Sequence, residues 1–65
     1  MRAKKNEWID YLFQDDESGE YFFVETDQGE DAAWDIATQY FKEENIGLAD
    51  EMTPEEASFY GYDTY

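Results

Sequence analysis

The sequence predicts an α+β fold: a β-hairpin, with a short third strand as an option, packed on one amphipathic helix, with a short C-terminal helix alongside. Three observations carry this. Two short runs rich in aromatic and β-branched residues flank a polar cluster containing Gly19. One later segment repeats apolar residues at helical spacing. A Thr53-Pro54-Glu55-Glu56 run has the chemistry of a helix start.

The first strand is expected over residues 7–14. Ile9, Tyr11 and Phe13 alternate onto one face, with Trp8, Asp10, Leu12 and Gln14 on the other. Residues 15–20 form the polar cluster, in which Gly19 can take a positive φ, and residues 21–26 resume strand composition to close a hairpin. The apolar residues then divide into Trp8, Leu12, Phe22 and Val24 on one side and Ile9, Tyr11, Phe13, Tyr21 and Phe23 on the other. With helices on one face only, some of the other set is expected to meet solvent or a partner, the equal alternative being that longer helices or a second copy cover it.

The helix is expected to start at Asp27 as N-cap, with Glu30 three residues on, and to run from Ala32 to Glu44. Ala33, Ile36, Ala37, Tyr40 and Phe41 make its apolar stripe, while Asp31, Asp35 and Thr38 point away. Residues 46–49 read equally as a loop or as a third strand. Thr53 then serves as N-cap with Pro54 at the first helical position and Glu56 closing a capping box, and about two turns fit before Gly61 stops the helix. Tyr62 and Tyr65 are placed to pack back on the core. The chain reads as a single domain over 1–65, with 1–6 as a flexible basic N-terminus.

A chain of 65 residues buries a modest fraction of its surface on folding, about 60% by general scaling. It has no cysteine to staple the fold or ligate zinc, so its 20% aromatic content must supply the core. Histidine, the usual general base near neutral pH, is also absent. No apolar run is long enough for a signal peptide or a membrane span, so a cytoplasmic protein is expected. Carboxylate pairs abound, but an acid and base pair for glycoside hydrolysis needs a sugar-sized cleft, and the expectation is no enzyme. A calcium-loop frame beginning at Gln14 sets Asp16, Ser18 and Glu25 at ligand positions and Gly19 at the turn glycine; Gln14 stands where Asp is needed, Phe22 falls at the ninth position and strands flank it where helices are needed. No cofactor and no metal are expected.

The charge sets the functional expectation. Eighteen acidic residues face four basic ones for a net of −14, and beyond Lys5 the only base is Lys42. Such a chain repels nucleic acid and anionic membranes and attracts basic protein surfaces. Carboxylates four apart on a helix lie about 6 Å apart, and two apart on a strand about 6.6 Å; duplex DNA carries roughly one charge per 1.7 Å of axis. A small fold studded on several elements therefore approximates a phosphate backbone. The candidate contacts are Asp15, Asp16, Glu17 and Glu20 at the hairpin tip, Glu30, Asp31 and Asp35 on the helix, and Asp50, Glu51, Glu55 and Glu56 near the second helix.

Size, charge, missing cysteine and the hairpin-plus-helix layout resemble small acidic phage-encoded inhibitors, the DNA-mimic and anti-CRISPR proteins among them. Residues 33–41, with 54–57 and 61–65, also look like a pattern found in short phage proteins. The resemblance is one of type and transfers no individual residue. It implies an inhibitor that occupies the basic nucleic-acid-binding surface of a host defence or DNA-processing protein, a CRISPR effector being the first candidate, acting as monomer or homodimer without touching nucleic acid itself. The alternative is an adaptor or assembly protein that binds through an aromatic face, with acidity serving solubility.

Overall fold

The computed structural model describes residues 7–65. The expected basic N-terminus, residues 1–6, lies outside the described residues. Strands β1 (Ile9–Asp15), β2 (Glu20–Thr26) and β3 (Ile46–Met52) form one antiparallel sheet in the order β2-β1-β3. Helix α1 (Glu30–Ala37) follows the hairpin, a 3-10 turn at Glu43–Asn45 leads into β3, and α2 (Pro54–Ala57) follows it. This is an α+β fold, and residues 46–49, readable as strand or loop, belong to a strand.

The hairpin register pairs Phe13 with Phe22, Leu12 with Phe23 and Tyr11 with Val24. Register partners share a face, so the expected division of apolar residues is corrected: Phe22 and Val24 join Tyr11 and Phe13, and Phe23 joins Leu12. The first group packs with Ala33, Ala37 and Ile46, supported by Ile9, Trp34, Ile36, Phe41 and Leu48. Phe13 is fully buried, stacked on Phe22 at 5.4 Å and met edge-on by Trp34 at 4.9 Å. Leu12, Phe23, Met52 and Ala57 form a second core on the opposite face. Of the two alternatives for the second sheet face, cover by a helix is the one observed: α1 lies over one face and the short α2 over the other.

A β-bulge makes the two-sided core possible. Leu12 pairs with Asp50 while Phe13 pairs with Leu48, leaving Ala49 as the extra residue. In an unbroken strand Ile46, Leu48 and Met52 would share one face, since side chains alternate with period two. The bulge reverses the alternation, so Ile46 and Leu48 feed the α1 core and Met52 feeds the α2 core.

Helix α1 differs from expectation at both ends. Its N-cap is Gly29, at φ 96° and ψ 179°, with no side-chain cap, instead of Asp27. Gly29 reaches a region closed to residues with a Cβ, and this lets the chain turn sharply from β2 onto the sheet. The helix stops at Ala37 instead of reaching Glu44: Thr38 N–H and Oγ1 both donate to the Trp34 carbonyl at 2.9 Å, and the chain then tightens into turns in which Gln39 N–H donates to the Ile36 carbonyl and Tyr40 N–H to the Ala37 carbonyl, each at 3.1 Å. The stripe residues Ala33 and Ala37 are buried, Ile36 and Phe41 half-buried, and Tyr40 exposed. The capping box at α2 forms as read: Glu56 N–H donates to Thr53 Oγ1 and Thr53 N–H to Glu56 Oε1, both at 3.2 Å. That helix is shorter than two turns, ending at Ala57 before Gly61, at φ 73°, redirects the chain.

The tail after Gly61 returns along β2, with Thr64 bridging Phe23 in parallel. Phe23 N–H donates to the Asp63 carbonyl (2.8 Å), Tyr65 N–H to the Phe23 carbonyl (2.8 Å) and Glu25 N–H to the Tyr65 carbonyl (3.1 Å). Tyr65 meets Phe22 and Phe41 edge-on, and Tyr62 stacks on Tyr21. The tail thereby covers the outer edge of β2, which would otherwise offer unpaired backbone groups to another chain.

Candidate functional site

Carboxylates dominate the exterior. Of the eighteen acidic residues, only Asp10 is buried and only Asp15, Glu25 and Asp27 are half-buried; the rest are exposed. The eleven residues expected to contact a partner do not converge on one patch. Asp15, Asp16, Glu17 and Glu20 cap the hairpin end, Glu30, Asp31 and Asp35 are exposed on α1, Asp50 and Glu51 lie on β3 at the sheet edge, and Glu55 and Glu56 sit on α2 on the opposite face from α1.

Several of them have local work. The Asp15 carboxylate accepts from the Glu17 N–H and the Ser18 hydroxyl, both at 3.2 Å, and so shapes the turn. Asp50 accepts from the Glu51 N–H at 2.8 Å, and Glu30 from the Trp34 indole at 3.4 Å. Glu56 is held by the α2 capping box. Glu51 and Glu30 also lie near Tyr11, whose phenol is pushed above its ordinary pKa by burial and then by those two charges. Asp16, Glu17, Glu20, Asp31, Asp35 and Glu55 are the expected residues free to meet a partner.

Sequence reasoning missed the most unusual pair. Asp10 and Glu25 are register partners on β1 and β2, on the face that carries Leu12 and Phe23. Asp10 is 5% exposed, and its Oδ1 has no hydrogen-bond partner among the described residues. Its pKa is pushed up from 3.8 to about 6, first by burial and then by the Glu25 charge. The signal was present: a turn at residues 16–19 that pairs Asp15 with Glu20 also pairs Asp10 with Glu25.

The pair lines a cavity of about 300 Å³. Pro54, Ala57 and Ser58 wall it from the α2 side, and Gly61, Tyr62 and Thr64 from the tail. A shallower hollow of about 380 Å³ lies on the other side of Tyr62, lined by Glu20, Tyr21 and Asp63 among others. No group of three or more His, Cys, Asp or Glu side chains is arranged to hold a metal ion among the described residues. The calcium-loop frame is folded into the hairpin instead, with Gln14 paired to Tyr21 and Glu25 to Asp10.

Aromatics add an exposed strip. Phe59 is 88% exposed, and Tyr60 stacks on Tyr62, which stacks on Tyr21, at 5.9 and 5.5 Å. No helix among the described residues is long and apolar enough to cross a membrane.

Fold and surface together define a small acidic α+β domain with a carboxyl-lined cavity between its second helix and its C-terminal tail. Comparison with protein-family models, with curated proteins and with solved structures finds no match to this chain.

Proposed function

We propose that this protein binds the basic, nucleic-acid-binding surface of another protein and blocks it by competition, as a phage-type inhibitor of a host defence or DNA-processing factor acting in the host cytoplasm. A CRISPR effector is the first partner to test. The observation that supports this is the distribution of charge: exposed carboxylates on both faces, the hairpin end and one edge of a folded sheet, relieved within residues 7–65 by Lys42 alone. Long-range attraction would steer association, and fixed carboxylates would meet arginines and lysines placed for phosphate.

Affinity capture from host lysate at about 50 and 500 mM salt tests it, with duplex DNA as competitor. Loss of the partner at high salt and displacement by DNA are expected, because contacts built for phosphate weaken steeply with salt. A complex indifferent to both sinks the reading. It would favour the adaptor reading instead, for which the exposed Phe59 and the Tyr60–Tyr62–Tyr21 stack are the supporting observation.

A further inference from the structure

We infer that the cavity lined by Asp10 and Glu25 receives a guanidinium group, the arginine side chain of a basic partner. This rests on the basic-partner reading above and names where one partner residue would enter. The argument begins with the unusual placement of Asp10. Two carboxyls directly across a strand pair repel each other, and burying one of them raises the cost further. Asp10 is nonetheless buried, with Oδ1 unpartnered, and lines a cavity of about 300 Å³. A cation in that cavity would offset the repulsion between the two carboxyls and give the buried Asp10 side chain a counterion.

The lining selects the kind of cation. A hard divalent ion takes six or more oxygen ligands or keeps several waters, and no third acidic side chain joins the pair in a metal-holding group among the described residues. A guanidinium asks for less. It is a planar, weakly hydrated fork whose donors suit carboxylates, and its faces stack on aromatic rings. Here the carboxyls come from β1 and β2, and Tyr62 borders the cavity from the tail, its ring already stacked with Tyr60 and Tyr21. Ser58 offers a further acceptor: its hydroxyl donates to the Glu55 carbonyl at 2.6 Å, which leaves the oxygen lone pairs available. The raised pKa of Asp10 agrees with a site lacking its counterion.

The test titrates methylguanidinium chloride into the full chain at pH 7.5, following backbone amide shifts, with tetramethylammonium chloride at equal ionic strength as the control. Saturable shifts centred on Asp10, Glu25, Ser58 and Thr64 are expected, absent with tetramethylammonium and weakened on the order of tenfold or more in Asp10→Asn. Glu25→Gln provides a second variant with the same expectation. A chain carrying Arg2→Gln, Lys4→Gln and Lys5→Gln is titrated alongside, so that its own bases cannot fill the cavity unseen. Shifts spread over the acidic exterior without saturation, or equal with both salts, overturn the site. That result leaves salt-sensitive, DNA-displaced capture of a partner standing. Saturable methylguanidinium binding stands in turn even if no such partner is captured.

Discussion

Asp10 and Glu25 face each other across β1 and β2, one carboxyl buried and the other half-buried, with no base of the described chain lining the cavity they share. Like charges in that relation destabilise a sheet, so the pair is a place where the fold carries a cost.

The cost has a definite pH dependence. The folded pKa of Asp10, about 6, lies above its ordinary 3.8, so the folded chain holds that proton more tightly than the unfolded chain. The resulting stability is fully present below about pH 3.8 and is lost as pH rises through about 6, an effect on the order of 3 kcal/mol. Asp10→Asn removes the titration and should raise the unfolding free energy at pH 7, by on the order of 1–3 kcal/mol, since the new amide can donate to Glu25. Urea denaturation of both chains between pH 4 and 7 checks this; parallel stability curves would show that Asp10 is not the source.

Phe13 anchors the α1 core at zero exposure. Phe13→Ala should cost about 3–5 kcal/mol, which is comparable to the whole stability of a small domain. Loss of the cooperative thermal transition, followed by circular dichroism, is the expected outcome. Phe13→Leu should keep a transition at lower temperature.

Gly29 sits at φ 96° and ψ 179° with open space where a Cβ would project. Gly29→Ala should therefore act through backbone strain and not through a clash, costing about 1–3 kcal/mol. Chemical denaturation measures this. A neutral substitution would mean that the turn into α1 relaxes without strain.

The tail should act as a fourth strand in hydrogen exchange. Phe23 and Glu25 donate their N–H groups to tail carbonyls, so truncation after Gly61 should deprotect those two amides while leaving the amides between β1 and β3 protected. Equal protection with and without the tail contradicts the pairing.

Charge reversal separates surface from fold. Asp31→Lys with Asp35→Lys changes two exposed side chains on α1 and should alter stability by no more than about 0.5 kcal/mol per site. Under the proposed function it weakens partner capture at low salt, read by comparing bound fractions with the parent chain. Capture unchanged by the double reversal places contact elsewhere on the acidic exterior, and the pair Glu55→Lys and Glu56→Gln on α2 then tests the opposite face.

Elements set by neighbours in the chain could be read directly. The hairpin follows from two apolar runs about a Gly-containing turn, and α2 from Thr53, Pro54 and Glu56, whose capping bonds join residues three apart. Helix α1 was overestimated because the apolar spacing of Tyr40 and Phe41 continues the stripe after the hydrogen-bonded helix has ended. Those rings pack on Tyr65 from the turns that follow α1.

Charge, the lack of cysteine and histidine, the α+β class and the start of α2 could be read from the chain alone, because composition and short-range hydrogen bonding are written in adjacent residues. Which aromatics share a face follows from the register of β1 against β2, and which core Met52 joins follows from the bulge at Ala49; both are long-range pairings. Only the tertiary structure decided that Asp10 is buried: its burial and raised pKa come from bringing β1, β2, α2 and the tail together around one carboxyl. Those groups are far apart in the chain, and desolvation and Coulomb repulsion depend on distance in space.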